Sequence, residues 1–208
     1  MEPPNYRRES TALLFVDPDN VFLSDNGRNW QRLKPIAQEL GILDNLKSVG
    51  QAARSAGIEV LFVPRRRFCE PGEHESWPLF DPTRGNRQPE LALQDIIADE
   101  EWAQSSFANT DLDRQLRQQG ITHVIVVGLF ADACIRSTSR CAMKLGYHVT
   151  LVSDATGAFS SEMTSITHAP DQPVYAHRTL RTIDLVAALS QQGTPARSNL
   201  EGITYTNM

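Results

Sequence analysis

The sequence predicts an α/β protein, a three-layer α/β/α sandwich on a mainly parallel sheet. Short apolar runs of strand length, bounded by turn residues, read as buried strands. They alternate with stretches of helical periodicity, the pattern of parallel strands covered on both faces. The length of 208 residues fits one domain with a substantial core. The whole chain, 1–208, is therefore expected to be a single domain, with 1–10 as a flexible N-terminal tail.

"TALLFVD", 11–17, is the first strand; it leaves a polar tail and stops at the turn-like "DPDN". From Trp30 to about Ala56 the positions Leu33, Ile36, Ala37, Leu40, Leu43, Leu46, Val49, Ala52 and Ala53 keep helical spacing, interrupted near Gly41. One helix or two in tandem would fit. "IEVLFVP", 58–64, is the second strand, after a "SAG" helix stop. Residues 65–98 lose periodicity and read as a long functional loop. "NTDLDRQLRQQG", 109–120, is a helix with Asn109 or Thr110 as N-cap. "ITHVIVVG" is the third strand, "DACIRSTSRCAMKLG" a helix and "YHVTLVSDA" the fourth strand. Residues 160–168 and 179–190 read as helical, with a short strand around "VYAHRT".

The charge balance excludes several functions. Twenty basic against 25 acidic residues give a net charge of −5, with basic residues scattered apart from "PRRR", so no nucleic-acid partner is expected. No apolar run approaches membrane-spanning length and no signal-like segment opens the chain, which predicts a cytoplasmic protein without a membrane partner. Three cysteines form no paired framework. Cys134 and Cys141, seven positions apart, lie about 10 Å apart along a helix, beyond disulfide reach.

In parallel α/β sheets, ligands bind beyond the C-terminal ends of the strands. Asp17, the arginines at 65–67 and the Gly128–Cys134 turn all follow strand ends and should converge. Cys134 falls where a helix begins. N–H groups and partial positive charge there favour a thiolate and could hold an oxyanion. Its plainer role is that of a small buried hydrophobe, and Cys141, deeper on the same face, fits that role better.

"GLFADACIRSTSRCAMKLGYHVTLVSDA" resembles the isochorismatase-like cysteine hydrolase family. Gly128, Cys134, Thr138, Ala142, Gly146, Tyr147, Val149, Asp154 and Ala155 stand at the family's positions. "LLFVDPDNVF" is similar to its opening strand and turn, and "SSFANTDLDRQL" to its Ser-x-Phe-x-x-Thr-x-Leu helix entry. The resemblance implies Cys134 as nucleophile and Asp17 as the general base that takes its proton. It also implies a cis peptide between Phe130 and Ala131 that turns the amides of Ala131 and Cys134 toward the oxyanion.

One family element is missing. The lysine that completes the triad would stand at 101, where this chain has Glu101, preceded by Glu100. Its only lysines are Lys34, Lys47 and Lys144. Three explanations stand side by side. Glu100 or Glu101 could act as an extra acid or base with a cation from Arg65, Arg66 or Arg67; Asp17 and Cys134 could work alone; or the protein could bind a ligand without turnover. Zinc-binding amidases of the family carry an Asp and two His after the second strand. Here "PRRRFCEPGEHESW" offers only His74, so no metal and no other cofactor is expected. His123, His148, His168 and His177 lack paired spacing and read as surface or core fillers.

The expected activity is hydrolysis of a small molecule's C–N bond, in an amide, ureide or lactam, through a Cys134 thioester. Phe22, Trp30, Trp102 and Phe107 are candidate pocket walls, with Arg65 and Arg67 as further substrate contacts. A homo-oligomer, dimer or tetramer, is expected. The rival from another class is an inactive homologue that binds a small molecule or acts as a scaffold; a thiol redox role is disfavoured, since no second cysteine is within reach of Cys134.

Overall fold

A computed structural model describes residues 5–17, 30–63, 105–108, 110–129, 131–157 and 175–192. Its elements are β1 (Thr11–Val16), α1 (Trp30–Glu39), α2 (Ile42–Ser55), β2 (Glu59–Val63), α3 (Leu112–Gln118), β3 (His123–Leu129), a π-helical turn (Ala131–Ile135) running into α4 (Arg136–Lys144), β4 (His148–Gly157), β5 (Arg178–Leu180) and α5 (Thr182–Gln192). All strand pairs are parallel, in the order β2-β1-β3-β4-β5. The predicted strands and helices in these segments are present, and the periodic stretch from Trp30 is two helices. Gly41, at φ 63, supplies the left-handed residue that ends one helix and starts the next.

Side chains of the central strands divide between two cores with the period of two that a pleated strand imposes. Leu13 and Phe15 of β1, with Ile125, Val127 and Leu129 of β3, face the layer of α1, α2 and α5. Ala12, Leu14 and Val16, with Val124 and Val126, face α3 and α4. Phe15 stacks on Phe62 of β2 at 5.2 Å between centroids. Each fully buried Leu contributes about 1.5–3 kcal/mol of apolar burial.

The expected loose tail fails from Asn5 onward. Tyr6 is buried, and its hydroxyl hydrogen-bonds Thr150 Oγ1 at 3.1 Å. The Ser10 carbonyl accepts the N–H groups of Thr122 and His123, both at 2.9 Å. An aromatic ring with a hydroxyl anchor outweighs the polar composition around it. Among the described residues, no helix is long and apolar enough to cross a membrane.

Candidate active site

The sheet changes winding direction between β1 and β3: the chain moves outward from β1 to β2, then crosses back over β1 to β3. At such a switch point the loops leaving the two strands part and open a crevice. Val16 is paired with Gly128, so the residues that follow each strand leave the same edge side by side. Asp17 is the first residue past β1. It is 1% exposed, and its N–H still donates to Val63 O of β2 at 3.1 Å. Asp17 has φ 50, the one described non-glycine residue in the left-handed region. Such a backbone costs on the order of 1–3 kcal/mol, so the fold turns this carboxylate against local preference.

Across the switch point, Gly128 has φ 121, and a Cβ on it would stand 2.0 Å from the Val16 carbonyl oxygen. Only glycine lets β3 approach β1 this closely beside Asp17. One residue past Leu129 the chain enters the π-turn Ala131–Ile135, with Cys134 as its fourth residue. π-turns concentrate at functional positions because they displace one side chain from its α-helical place. A helix start at a strand's C-terminal end aims its first amides and its positive dipole end into the crevice. Cys134 is 1% exposed and in no disulfide, and its carbonyl accepts from Ser137 Oγ at 3.2 Å. The same core also holds Tyr175, whose phenol is pushed up to about 12 by burial, opposed in part by the Arg136 guanidinium. Arg136, two residues past Cys134, is a cation that the sequence reading passed over.

Helix α4, which follows Cys134, is tied sideways to the turn Ser105–Ala108. Thr138 Oγ1 accepts the Ser106 N–H at 2.9 Å and donates to Ser106 Oγ at 3.1 Å, with both residues buried. Thr110 Oγ1 donates to Ser106 O at 2.8 Å and accepts the Leu112 N–H at 3.2 Å, so Thr110 serves the start of α3, while Asn109 lies outside the described residues. The Ser-x-Phe-x-x-Thr motif is thus a hydrogen-bonded brace. Phe107, expected against substrate, is instead a core residue: it is 4% exposed and stacks on Tyr147 at 6.0 Å.

The structure brings Asp17, Ala131 and Cys134 to one edge of the sheet. Trp30 opens α1. Glu100, Glu101, Trp102, Phe22, Arg65, Arg67 and Phe130, with the cis peptide expected at Phe130, lie outside the described residues. So do Cys69, His74, His168 and the loop 65–98. Cys141 is buried in the α3/α4 core, as its plain role requires. The histidines form an arrangement that spacing did not disclose. At the opposite end of the strands His148 lies between His123, tilted at 5.0 Å, and His177, stacked at 4.5 Å. Among the described residues, no group of three His, Cys, Asp or Glu is disposed to hold a metal.

The model of the isochorismatase domain matches residues 11–177, most of the chain and every element of the site. The chain belongs to the isochorismatase family. Among its relatives, ureidoacrylate amidohydrolase RutB of Yersinia enterocolitica is 29% identical over 181 residues, covering 74% of this chain and 78% of that one. The RutB of Agrobacterium fabrum is 28% identical over 180 residues, covering 74% and 79%. Two solved structures share the fold. A cysteine hydrolase from Pseudomonas syringae pv. phaseolicola has TM-score 0.69 and 21% identity, covering 92% of this chain and 97% of that one. N-carbamoylsarcosine amidase from Thermoplasma acidophilum has TM-score 0.60 and 23% identity, covering 83% and 96%. The α/β/α sandwich expected from the sequence is this family's fold.

Proposed function

We propose that this isochorismatase-family protein is a cysteine hydrolase that cleaves the C–N bond of a small amide or ureide. The observation that carries the reading is the pairing of Val16 with Gly128, which leads Asp17 and the Cys134 turn off neighbouring strands at the switch point. Amidohydrolase names among the curated relatives support the bond type.

The chemistry follows from the two groups. Asp17 takes the proton from Cys134, and the sulfur attacks the substrate carbonyl. Negative charge on that oxygen is met by amides of the Ala131–Cys134 turn. The C–N bond then breaks as the nitrogen takes the proton from Asp17, leaving a thioester. Water attacks the thioester, again losing its proton to Asp17, and the thiol is restored. Burial of both groups keeps bulk water from competing with these steps. No lysine is available to this site from 64–133, so the charge that favours ionisation comes from the helix start and from arginine. A reducing, cytoplasmic setting suits a thiol nucleophile.

The test is release of amine or ammonia from a panel of ureidoacrylate, N-carbamoylsarcosine and nicotinamide, with mass spectrometry to trap a substrate adduct on Cys134. Removing a nucleophile costs on the order of 10⁴-fold or more in kcat, and that loss is expected for Cys134→Ala. Asp17→Asn is expected to lose about 10²–10⁴-fold. Saturable binding of a panel member with no turnover and no adduct overturns the hydrolase reading in favour of a binding homologue. The glutamates at 100 and 101 are the sequence feature that favours that rival.

A further inference from the structure

β4 does not run evenly beside β3. Val126 pairs with Leu151, but Gly128 pairs with Thr156 and Leu129 with Gly157, so two steps along β3 are matched by five along β4. Val152–Ala155 stand opposite Val127 alone, a surplus of three, and the strands pair again at the last two residues of β3. Bulges re-aim chains beside active sites, and this one needs support, because its own ladder bonds are interrupted.

Its support comes from three other elements. Asp154 Oδ1 accepts both the N–H and the hydroxyl of Thr182, each at 2.7 Å, which caps the start of α5. The Asp154 carbonyl accepts Asn45 Nδ2 of α2 at 2.7 Å, and the same amide reaches Leu40 O at 3.3 Å. Ser153 Oγ donates to Leu180 O of β5 at 3.3 Å, while Thr156 Oγ1 closes the bulge on Ser153 O at 3.2 Å. Beyond it, Gly157 presses on α2 so closely that a Cβ there would stand 2.4 Å from Ile42 Cδ1. Arg181 Nε, at 3.7 Å from Asp154 Oδ2, adds little, being largely exposed.

We infer that Asp154 is a positioning residue for the hydrolysis: clamped by Asn45 and Thr182, it holds the β4 bulge that re-pairs with Gly128 and Leu129 and so sets where the Cys134 turn leaves the sheet. This rests on Cys134 being the nucleophile, and it deepens that reading. A carboxylate bonding two donors of a helix start does more than cap it when its own strand, β4, re-pairs with the end of β3, the strand that leads into the reacting group. Displacements of an ångström there cost up to about a hundredfold in rate.

The experiment compares Asp154→Ala, Asp154→Asn, Thr182→Val and Asn45→Ala with Val49→Ala, a core truncation in α2 that removes none of the hydrogen bonds holding the bulge. Two readouts are taken: turnover of ureidoacrylate, and the pH profile of iodoacetamide labelling at Cys134 read by peptide mass. Asp154→Ala and Thr182→Val are expected to lower kcat about ten- to a hundredfold with KM nearly unchanged, and to move the labelling profile. Asp154→Asn, whose amide oxygen accepts the same two bonds, recovers most of both, and Val49→Ala moves neither. Wild-type kcat and labelling in Thr182→Val and Asn45→Ala overturn the inference, as does an equal shift in Val49→Ala. If Asp154→Ala does not fold, these two milder variants decide. The two readings fail separately: wild-type turnover by Cys134→Ala sinks the hydrolase mechanism, whereas labelling judges the clamp without substrate.

Discussion

The two ends of the parallel sheet are built on opposite principles. At the N-terminal end the strands start in register, Thr11 with His123 and His123 with His148, and several polar groups find local partners, though Thr11 Oγ1 and His148 Nδ1 are buried without one among the described residues. Ser10 O holds two N–H groups, Thr122 Oγ1 meets His123 Nδ1 at 2.9 Å, and the Val149 N–H donates to His177 Nδ1 at 3.1 Å. At the C-terminal end regularity is given up: Asp17 and Gly128 have positive φ, β4 bulges, and the chain enters α4 through a π-turn. Strain persists where the surrounding structure overdetermines it, and it gathers where side chains must be aimed.

The largest effect that would test this contrast is at Gly128. Gly128→Ala places a methyl 2.0 Å from the Val16 carbonyl and requires φ 121 of an L-residue. Neither strand can yield without breaking the β1–β3 ladder. A loss of about 3 kcal/mol or more is expected in urea unfolding, together with loss of turnover. Wild-type stability in this variant would mean that the crevice edge is not tightly determined.

A smaller effect is expected at the brace behind the Cys134 turn. Thr138→Val keeps shape but removes the oxygen that serves both Ser106 N–H and Ser106 Oγ. Leaving a buried N–H without its acceptor costs about 1–3 kcal/mol, which should lower the urea midpoint with an unchanged m-value. An unchanged midpoint would make the Ser105–Ala108 turn an independent loop.

Much of this contrast could be read from the chain, and the rest could not for physical reasons. Apolar runs placed strands to within two residues, as in 121–128 against His123–Leu129, because burial on both faces leaves a continuous signal. Gly41 broke the tandem helices where expected. Asp17 and Cys134 stood out because each follows a strand. The β4 bulge was invisible: no glycine or proline interrupts "VTLVSDA", and the surplus residues exist only relative to β3. Phe107 was misjudged because an aromatic residue in a motif looks the same whether it lines a pocket or stacks on Tyr147. The histidine stack, with partners 25 and 29 positions apart in sequence, requires knowledge of strand order.

That stack yields the smallest effect and the finest test of the regular end. Burial holds His123 and His148 below the usual imidazole range, for His123 helped by His177, and for His148 by His177, His123 and Arg178. The sign follows from linkage. When the folded pKa is depressed, the unfolded chain binds protons first, so this contribution is complete above the ordinary pKa of about 6.5 and is lost as pH falls below it. The urea midpoint should therefore decline between pH 7.5 and 5.5, before ordinary carboxylates titrate. His148→Gln, which removes the central ring facing His123, His177 and Arg178, should flatten that decline while leaving kcat at pH 7.5 unchanged. A slope identical to wild type would show the rings to be solvated independently. A changed kcat would instead couple the regular end of the sheet to the strained one, erasing the distinction between them.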